Sequence, residues 1–403
     1  MSGAGRLADS AGQTYLIGES LYLRPLQRDD ARHAAVWRPE PFPISAKRAE
    51  HDLDKIPALD AIDAEPGGGV LVACRRDDDE PVGAAMIDLS FPITAEVRFH
   101  IERRPDRDAG AIGGEMLTLV APWLSAEIAY PSVWAELDGG EPALVAAAER
   151  IGMRPGSRLR DAIWRDGRRF DQLGYELLHP GWLERMGDPG VGIAAEGAPV
   201  AAPRSPAPRI WPLGDGPIPP NALAVGPRLA LRPFALDDAP LIARASREEA
   251  EMSFNARGRQ PVSPLSVEAW IAKQGEQAPP PAINLAVVLR ETGELIGETN
   301  LVEIDWIART AETAAWVYQP RHRGGGLGTE MKHLSLEYAF DRLGFHQVRS
   351  YVYDINPRSA AAVRKQGYRD AGRQWWVSVK GASFVGWDVF DLLADEWRAA
   401  RSA

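Results

Sequence analysis

The two halves of the chain are copies of one another, and this repeat limits the possible folds more than any other feature. The sequence LYLRPLQRDDA at 21–31 returns as LALRPFALDDA at 229–239. A constant offset of 215 residues then relates matching positions: Gly113 to Gly328, Pro142 to Pro357, and Trp182 to Trp397. Two copies are too few for a solenoid. The repeat therefore predicts a tandem duplication of one domain of about 170 residues.

A segment rich in proline and glycine separates the copies. Residues 187–220 contain nine prolines and six glycines and show no period of 2 or 3.6 residues, which is typical of a semi-extended linker. We expect a first domain over residues 15–186, a linker over 187–221 and a second domain over 222–403.

Composition excludes several classes of protein. The chain has 403 residues and a net charge of -10, which opposes binding to nucleic acid or to an acidic membrane surface. Its single cysteine, Cys74, permits no internal disulfide, and its seven histidines form no pair at metal-ligand spacing. No apolar run reaches the roughly 20 residues of a membrane helix. We expect a soluble cytoplasmic protein without a metal site.

The second copy has the clearer pattern of elements. Strands are predicted at 229–234, at 283–290 and 294–301 as a hairpin, at 313–318 and at 347–353. Apolar residues at helical spacing predict a helix from Leu327 to near Gly344, and a shorter helix begins at Pro357. Two more strands precede a final helix around 394–397. This order predicts an α+β fold with a mixed, mostly antiparallel sheet flanked by helices.

The sequence RGGGLG at 323–328 lies between a predicted strand and a predicted helix. Three consecutive glycines allow backbone N–H groups to gather around one point, and the helix N-terminus adds partial positive charge. This pattern suits a pyrophosphate, although a lone Gly-rich segment is more often a flexible turn. A Rossmann site is disfavoured because no βαβ unit opens here, and the Gly-Lys-Ser/Thr of a P-loop is missing. Arg321 and Arg323 would assist by contacting phosphate oxygens.

Two motifs of the second copy resemble the GCN5-related N-acetyltransferase (GNAT) superfamily. They are Arg323-x-x-Gly326-x-Gly328 with the helix after it, and Asn356-x-x-Ser359 leading to Gly367. The opening Leu-x-Leu-Arg-Pro strand and the closing helix with Glu396 and Trp397 are similar to the branch of ribosomal-protein N-terminal acetyltransferases. The resemblance implies two tandem acyl-CoA N-acyltransferase domains. It spans nearly the whole chain outside the linker.

The resemblance also implies a site. Acetyl-CoA, or another acyl-CoA, would bind through one set of residues: Arg321, Arg323, Gly324, Gly325, Gly326, Leu327, Gly328, Val317 and Asn356. A primary amine, on a small molecule or a protein N-terminus, would attack directly. Because such an amine is mostly protonated at neutral pH, the site must accept a proton.

Several residues carry alternative interpretations. Glu312 and Glu298 are candidate bases, but a solvated carboxylate on a strand face is the more common role for such a glutamate. Ser359 is the candidate donor to the leaving thiolate, and we expect Asn356 both to cap its helix and to hold cofactor or strand atoms. Many relatives place a tyrosine where this chain has Val363, which strengthens the case for Ser359.

The acceptor is the least constrained part of the prediction. Arg257, Arg259 and Arg321 would favour an acidic acceptor, although surface arginines are usually only solvated. Trp375 and Trp376 would line an acceptor cleft, but adjacent strand residues point to opposite faces, so we expect one of them in the core.

The first copy lacks the functional groups of the second. Its residues at the positions of Arg323, Gly326, Asn356 and Ser359 are Asp108, Ala111, Glu141 and Leu144, in that order. This predicts one catalytic domain per chain, with Arg107 as a possible compensating cation, in a monomer with an internal pseudo-dimer or in a homodimer. A non-catalytic acyl-CoA-binding or interaction protein is the alternative function.

Overall fold

The computed structural model describes residues 16–37, 47, 49–50, 68–190, 192, 216–248, 262–276 and 278–402. Arg257, Arg259 and most of the expected linker lie outside these residues. The described chain forms two compact units. Of the described residues, those within 16–158, 170–192 and 373–386 form one unit, and those within 159–169, 216–372 and 387–402 form the other.

The first half of the sequence builds a sheet around one long helix, although residues 159–169 of its last β-hairpin belong to the second unit. In chain order its elements are β1 (Leu16–Ile17), β2 (Leu21–Pro25), α1 (Ala34–Trp37), β3 (Gly69–Arg75), β4 (Pro81–Asp88), β5 (Thr94–Ile101), α2 (Ala109–Ala126), β6 (Ser132–Asp138), α3 (Pro142–Arg150), β7 (Arg154–Arg165), β8 (Arg168–Leu178) and α4 (Pro180–Met186). Neighbouring strands pair antiparallel from β1 to β5, β5 and β6 run parallel, and β8 returns antiparallel beside β6.

The second half of the sequence repeats this order of elements, although residues 373–386 of its last β-hairpin belong to the first unit. It contains β9 (Ala224–Val225), β10 (Leu229–Pro233), α5 (Ala239–Glu248), α6 (Pro264–Ala272), β11 (Ile283–Leu289), β12 (Leu295–Asp305), β13 (Thr310–Val317), α7 (Leu327–Glu337), β14 (Gln347–Tyr353), α8 (Pro357–Lys365), β15 (Arg369–Lys380), β16 (Ser383–Leu393) and α9 (Ala394–Ser402). Strands β9 to β13 pair antiparallel, β13 and β14 run parallel, and β14 pairs antiparallel with β16.

The mixed sheet with flanking helices is confirmed for the second half. The main difference from the sequence prediction is the length of two strands. β12 continues to Asp305 instead of ending at residue 301, and β13 begins at Thr310 instead of at residue 313. A single turn of π-helix at Tyr338–Arg342 ends the α7 segment just before Gly344, where the sequence predicts its end. Among the described residues, no helix is long and apolar enough to cross a membrane.

The two faces of the second sheet have different cores. One face packs Ala230, Ala286 and Val288 against the helices α5 and α6. The opposite face packs Leu231, Val287 and Ala315 against Met331 and Leu334 of α7. The edge of β13 between these layers is where the candidate site lies.

Candidate active site

The glycine segment forms an open helix N-terminus. Gly324, Gly325 and Gly326 have φ values of +91°, +47° and +83°, a conformation that L-residues rarely adopt. Gly326 is the N-cap of α7, and no side chain caps it. A Cβ at Gly324, Gly325 or Gly328 would meet nothing within 4 Å. The first-turn N–H groups therefore face free space, as an anion-binding site requires.

The arginines near this loop are largely engaged with protein atoms. Arg323 donates from Nε and Nη2 to the Val317 carbonyl, at 3.1 and 3.0 Å. Arg321 pairs with Glu294, and Arg228 donates from Nη1 to the Gly325 carbonyl at 2.8 Å. The structure thus gives Arg323 a role the sequence did not predict, since it fastens the loop to the end of β13.

Strand β13 has an edge that is only partly paired. Its parallel pairing with β14 covers Thr310 to Glu312 and ends at Glu312 opposite Arg349, whereas its antiparallel pairing with β12 continues to Val317. Tyr318 donates its N–H to Ile296 of β12, so by alternation Val317 and Ala315 direct their backbone groups to the other side. The two parallel strands therefore diverge beyond Glu312.

A cavity adjoins this open edge on the α7 side. Its lining combines small or hydroxyl-bearing residues with one amine: Thr299, Thr313, Ala314, Ala315, Lys332, Ser335, Leu336 and Tyr368. The Tyr368 hydroxyl lies 2.7 Å from Thr313 Oγ1, and Thr313 Oγ1 donates to the Arg349 carbonyl at 3.2 Å. Burial raises the pKa of Tyr368 and lowers the pKa of Lys332 to about 8. Sequence reasoning missed both residues.

The two candidate carboxylates share the opposite face of the sheet. Glu298 pairs across β12 and β13 with Trp316, and Glu312 pairs with Val302. Four residues of strand separate the two levels, roughly 13 Å. Glu312 lies where the parallel pairing ends, while Glu298 lies toward the loop.

The Glu298 carboxylate is held by neighbouring side chains. Tyr318 Oη donates to Oε2 at 2.7 Å, and Asn300 Nδ2 donates to Oε1 at 3.2 Å. Burial, together with the negative charge of Glu298, raises the pKa of Tyr318 well above its usual range. The phenol therefore stays a donor and the carboxylate stays an acceptor, so Glu298 is a fixed negative group rather than a freely solvated one.

The helix α8 begins as the sequence predicts. Asn356 Oδ1 accepts from the Ser359 N–H at 3.1 Å, which confirms the cap, and Pro357 follows at the first helical position. The Ser359 hydroxyl makes no hydrogen bond within the described residues, and Ser359 is not among the residues that line the cavity. Val363 is buried in the core with Phe390 and Leu392.

The tryptophan pair belongs to the first unit. Trp376 is 4% exposed and packs with Ile93 and Leu178, which confirms that one of the two is a core residue. Both backbone N–H groups, of Trp375 and Trp376, donate to the buried Glu176 carboxylate. Because both units are compact and this hairpin clusters with the first, these tryptophans are not part of the second unit's site.

In the first unit the helix that corresponds to α7 starts differently. Asp108 is the N-cap of α2, and its Oδ1 accepts from the Ala111 N–H at 2.9 Å. A Cβ on Gly110 would lie 2.9 Å from a carboxylate oxygen of Glu141, so a second acidic group lies against this turn. Arg107 pairs with Glu80 and Glu102 at 2.7 and 2.9 Å. Two carboxylates thus occupy the helix start that is open in the second unit.

Comparison with known proteins agrees with this geometry. The family model of the acetyltransferase (GNAT) domain matches residues 228–369. The chain is 24% identical over 173 residues to the uncharacterized N-acetyltransferase YnaD of Bacillus subtilis strain 168, covering 42% of this chain and 96% of that protein.

Solved structures give similar coverage. A "putative acetyltransferase" from Sphaerobacter thermophilus DSM 20745 is 32% identical, with 41% of this chain and 97% of that one covered and a TM-score of 0.32. The spermidine N-acetyltransferase of Vibrio cholerae, in complex with CoA and spermine, is 21% identical, with 43% and 99% covered and a TM-score of 0.39.

Residues 228–369 belong to the GNAT family of N-acetyltransferases, so the matched domain lies in the second half of the chain. The protein is an acetyl-CoA-dependent N-acetyltransferase. This confirms the enzyme class and the cofactor that the sequence predicts. The open glycine turn fits that cofactor, because its free N–H groups and the space around Gly324, Gly325 and Gly328 accommodate phosphate oxygens.

Proposed function

We propose that the second unit transfers an acetyl group, or another acyl group, from acyl-CoA to a primary amine by direct attack, and that the first half is structural. The observation that carries this proposal is the position of an uncapped helix N-terminus at one end of an unpaired strand edge. A cofactor with phosphates and an extended amide-bearing arm is complementary to these two features.

The chain's own residues would hold this cofactor in two places. Backbone N–H groups from Gly324 to Gly328 would bind its phosphates, with Leu327 opening the helix. Ala315 and Val317 would offer backbone groups to its arm, although Arg323 already occupies the Val317 carbonyl. Acetyl-CoA, when bound, supplies the acetyl group as a thioester. We propose that Arg321 and Asn356 act at the margin of this site.

Glu312 is the better placed of the two candidate bases. It lies at the end of the parallel pairing, adjacent to the cavity residue Thr313 on the chain, where the open edge begins. Glu298 lies about 13 Å further along the face and is fixed by Tyr318 and Asn300. We therefore propose that Glu312 accepts the proton of the attacking amine and that Glu298 binds a positive charge on the acceptor.

This arrangement changes the expected class of acceptor. The sequence suggested an acidic acceptor from three arginines, yet Arg321 pairs with Glu294 in the structure and the other two lie outside the described residues. Two carboxylates and Trp316 on one face favour a cation instead. We propose a small-molecule amine that carries a further positive charge, with a protein N-terminus as the alternative acceptor.

The first half would not bind the cofactor. Asp108 and Glu141 place negative charge at its helix start, and Arg107 is engaged by two glutamates. Repulsion between these carboxylates and a diphosphate would disfavour binding. The chain would then carry one catalytic site, in the second half, and a first half that has the same order of strands and helices but only a structural role.

An acceptor screen tests the function. The full chain is incubated with acetyl-CoA and with a diamine, a polyamine, a neutral amino acid and a peptide with a free N-terminus, and released thiol is measured. We expect release with the charged small amines and an acetylated product by mass. Cofactor binding without thiol release for every class would instead support the non-catalytic alternative.

A further inference from the structure

The chain uses lysine very sparingly. Only six of its 46 basic residues are lysines, and the others are arginines. Arginine remains protonated in proteins, whereas lysine can lose its proton when it is buried. One of the six, Lys332, lies on α7 and lines the cavity beside the open edge of β13.

Lys332 differs from the other polar groups around it. Thr299 Oγ1 donates to Ser335 Oγ at 2.9 Å. Because Thr313 gives its proton to the Arg349 carbonyl, the Tyr368 hydroxyl donates to Thr313. Within the described residues, Lys332 makes no hydrogen bond and no ion pair. Lys332 is therefore the polar lining residue without a partner among the described residues.

Lys332 is half-buried, and a cation that is partly removed from water without a counter-charge is costly unless a ligand compensates it. The cavity adjoins Thr313, Ala314 and Ala315, at the point where the proposed cofactor arm would meet the amine. Negative charge develops there first on the thioester carbonyl oxygen and then on the departing sulfur. We propose that Lys332 is the catalytic proton donor to the leaving CoA thiolate, in place of Ser359.

The step balances as follows. The acceptor nitrogen forms a bond to the thioester carbonyl carbon and loses its proton to Glu312, while the carbon–sulfur bond breaks. Lys332 gives one proton to the sulfur, Glu312 passes the amine proton to water, and Lys332 regains one from water, so the products are the amide and the free thiol. A pKa near 8 suits this task, because it is close to that of a thiol.

Tyr368 is the other titratable residue that lines the cavity, and burial raises its pKa. The other lining residues from β12, β13 and α7 are neutral. The loss of rate on the alkaline side of the pH profile should therefore follow Lys332, which must be protonated to act as a donor.

The inference rests on the proposed position of the thioester and is tested first without turnover. Lysines are reductively methylated with ¹³C and followed by NMR, where the six lysine signals and that of the N-terminal amine are few enough to resolve. The signal lost in Lys332→Arg should titrate near pH 8 and should shift when CoA is added. A midpoint at or above the ordinary lysine value of about 10.4, or no response to CoA, would overturn the proposal.

Kinetics separates the donor from a binding residue. Lys332→Met should lower kcat with acetyl-CoA by about 100-fold, with CoA affinity within about threefold by calorimetry. Its loss should be much smaller with an aryl thioacetate, whose thiol leaves without a proton. Lys365→Met, an exposed lysine on α8, is the matched control and should match the parent.

Three results would contradict the assignment: near-parental kcat in Lys332→Met, an equal loss with both donors, or a 100-fold loss in Ser359→Ala with Lys332→Met unaffected. Ser359→Ala should otherwise stay within about threefold of the parent. Thiol release by the parent is measured before any variant is compared. Its absence would mean that the proposed function fails, which is distinct from a failure of the Lys332 assignment.

Discussion

The Asp108 carboxylate accepts a hydrogen bond from the Ala111 N–H, 2.9 Å away, at the start of the helix that corresponds to α7. At the same place in the second half, Gly326 caps the helix with no side chain. One copy thus satisfies its helix start with its own anion, and the other leaves it open. This contrast is the physical basis for assigning cofactor binding to the second half alone.

Gly326→Val should weaken acetyl-CoA binding by about tenfold or more, because it places a side chain at a φ of +83° beside the phosphate site. The strain alone costs about 1–2 kcal/mol of stability. Gly344→Val is the matched control, since Gly344 also has a positive φ, of +68°, but ends the α7 segment instead of starting it. Calorimetry should show loss of affinity only in the first variant. Equal affinities in the two variants would remove the loop from the site.

The two carboxylates should separate in kinetics. Glu312→Gln should lower kcat by about 100-fold or more, since a proton acceptor acts in the transition state. Glu298→Gln should mainly raise KM for the amine, because it removes a charge that binds substrate before reaction. Steady-state assays with the best acceptor from the screen measure both. A kcat effect confined to Glu298→Gln would reverse the two assignments.

His333 should make the protein sensitive to mild acid. Burial, with Arg401 nearby, lowers its pKa to about 4, while the unfolded chain titrates near 6.5. Between these values the unfolded state binds the extra proton, so the free energy of unfolding falls as pH falls, by on the order of 2–3 kcal/mol for this group.

Denaturant unfolding of the parent and of His333→Leu at pH 7 and pH 4.5, followed by tryptophan fluorescence, measures this effect. Trp397 lies next to the ring and reports on the site. We expect the variant to lose less stability on acidification than the parent. The same loss in both proteins would show that His333 does not control the acid limb.

Much of the architecture could be predicted from the sequence, because local signals agree with the fold. The Gly-rich loop and the Asn356-Pro357 helix start each depend on a few neighbouring residues, and both appear as expected. A duplicated pattern also gave the positions to compare between halves, such as Asp108 with Arg323.

The cavity could not be predicted in this way. Tyr368 meets Thr313 across 55 residues of sequence, and only the sheet and α8 bring them together. The family pattern directed attention to Val363, which is a core residue here. One sequence signal for the cavity was available. Lys332 is a lysine on the same helix as the core residues Met331 and Leu334, and a charged residue in that position indicates a polar site near the core.

The number of acetyl-CoA molecules bound per chain is the most direct test of the account. Titration calorimetry on the full chain should give one site. That site should be weakened by Gly326→Val and unaffected by Ala111→Val, the matching position of the first half, where Ala111 is exposed. Two equivalent sites, or one site that responds to Ala111→Val and not to Gly326→Val, would contradict the assignment of the catalytic site to the second half.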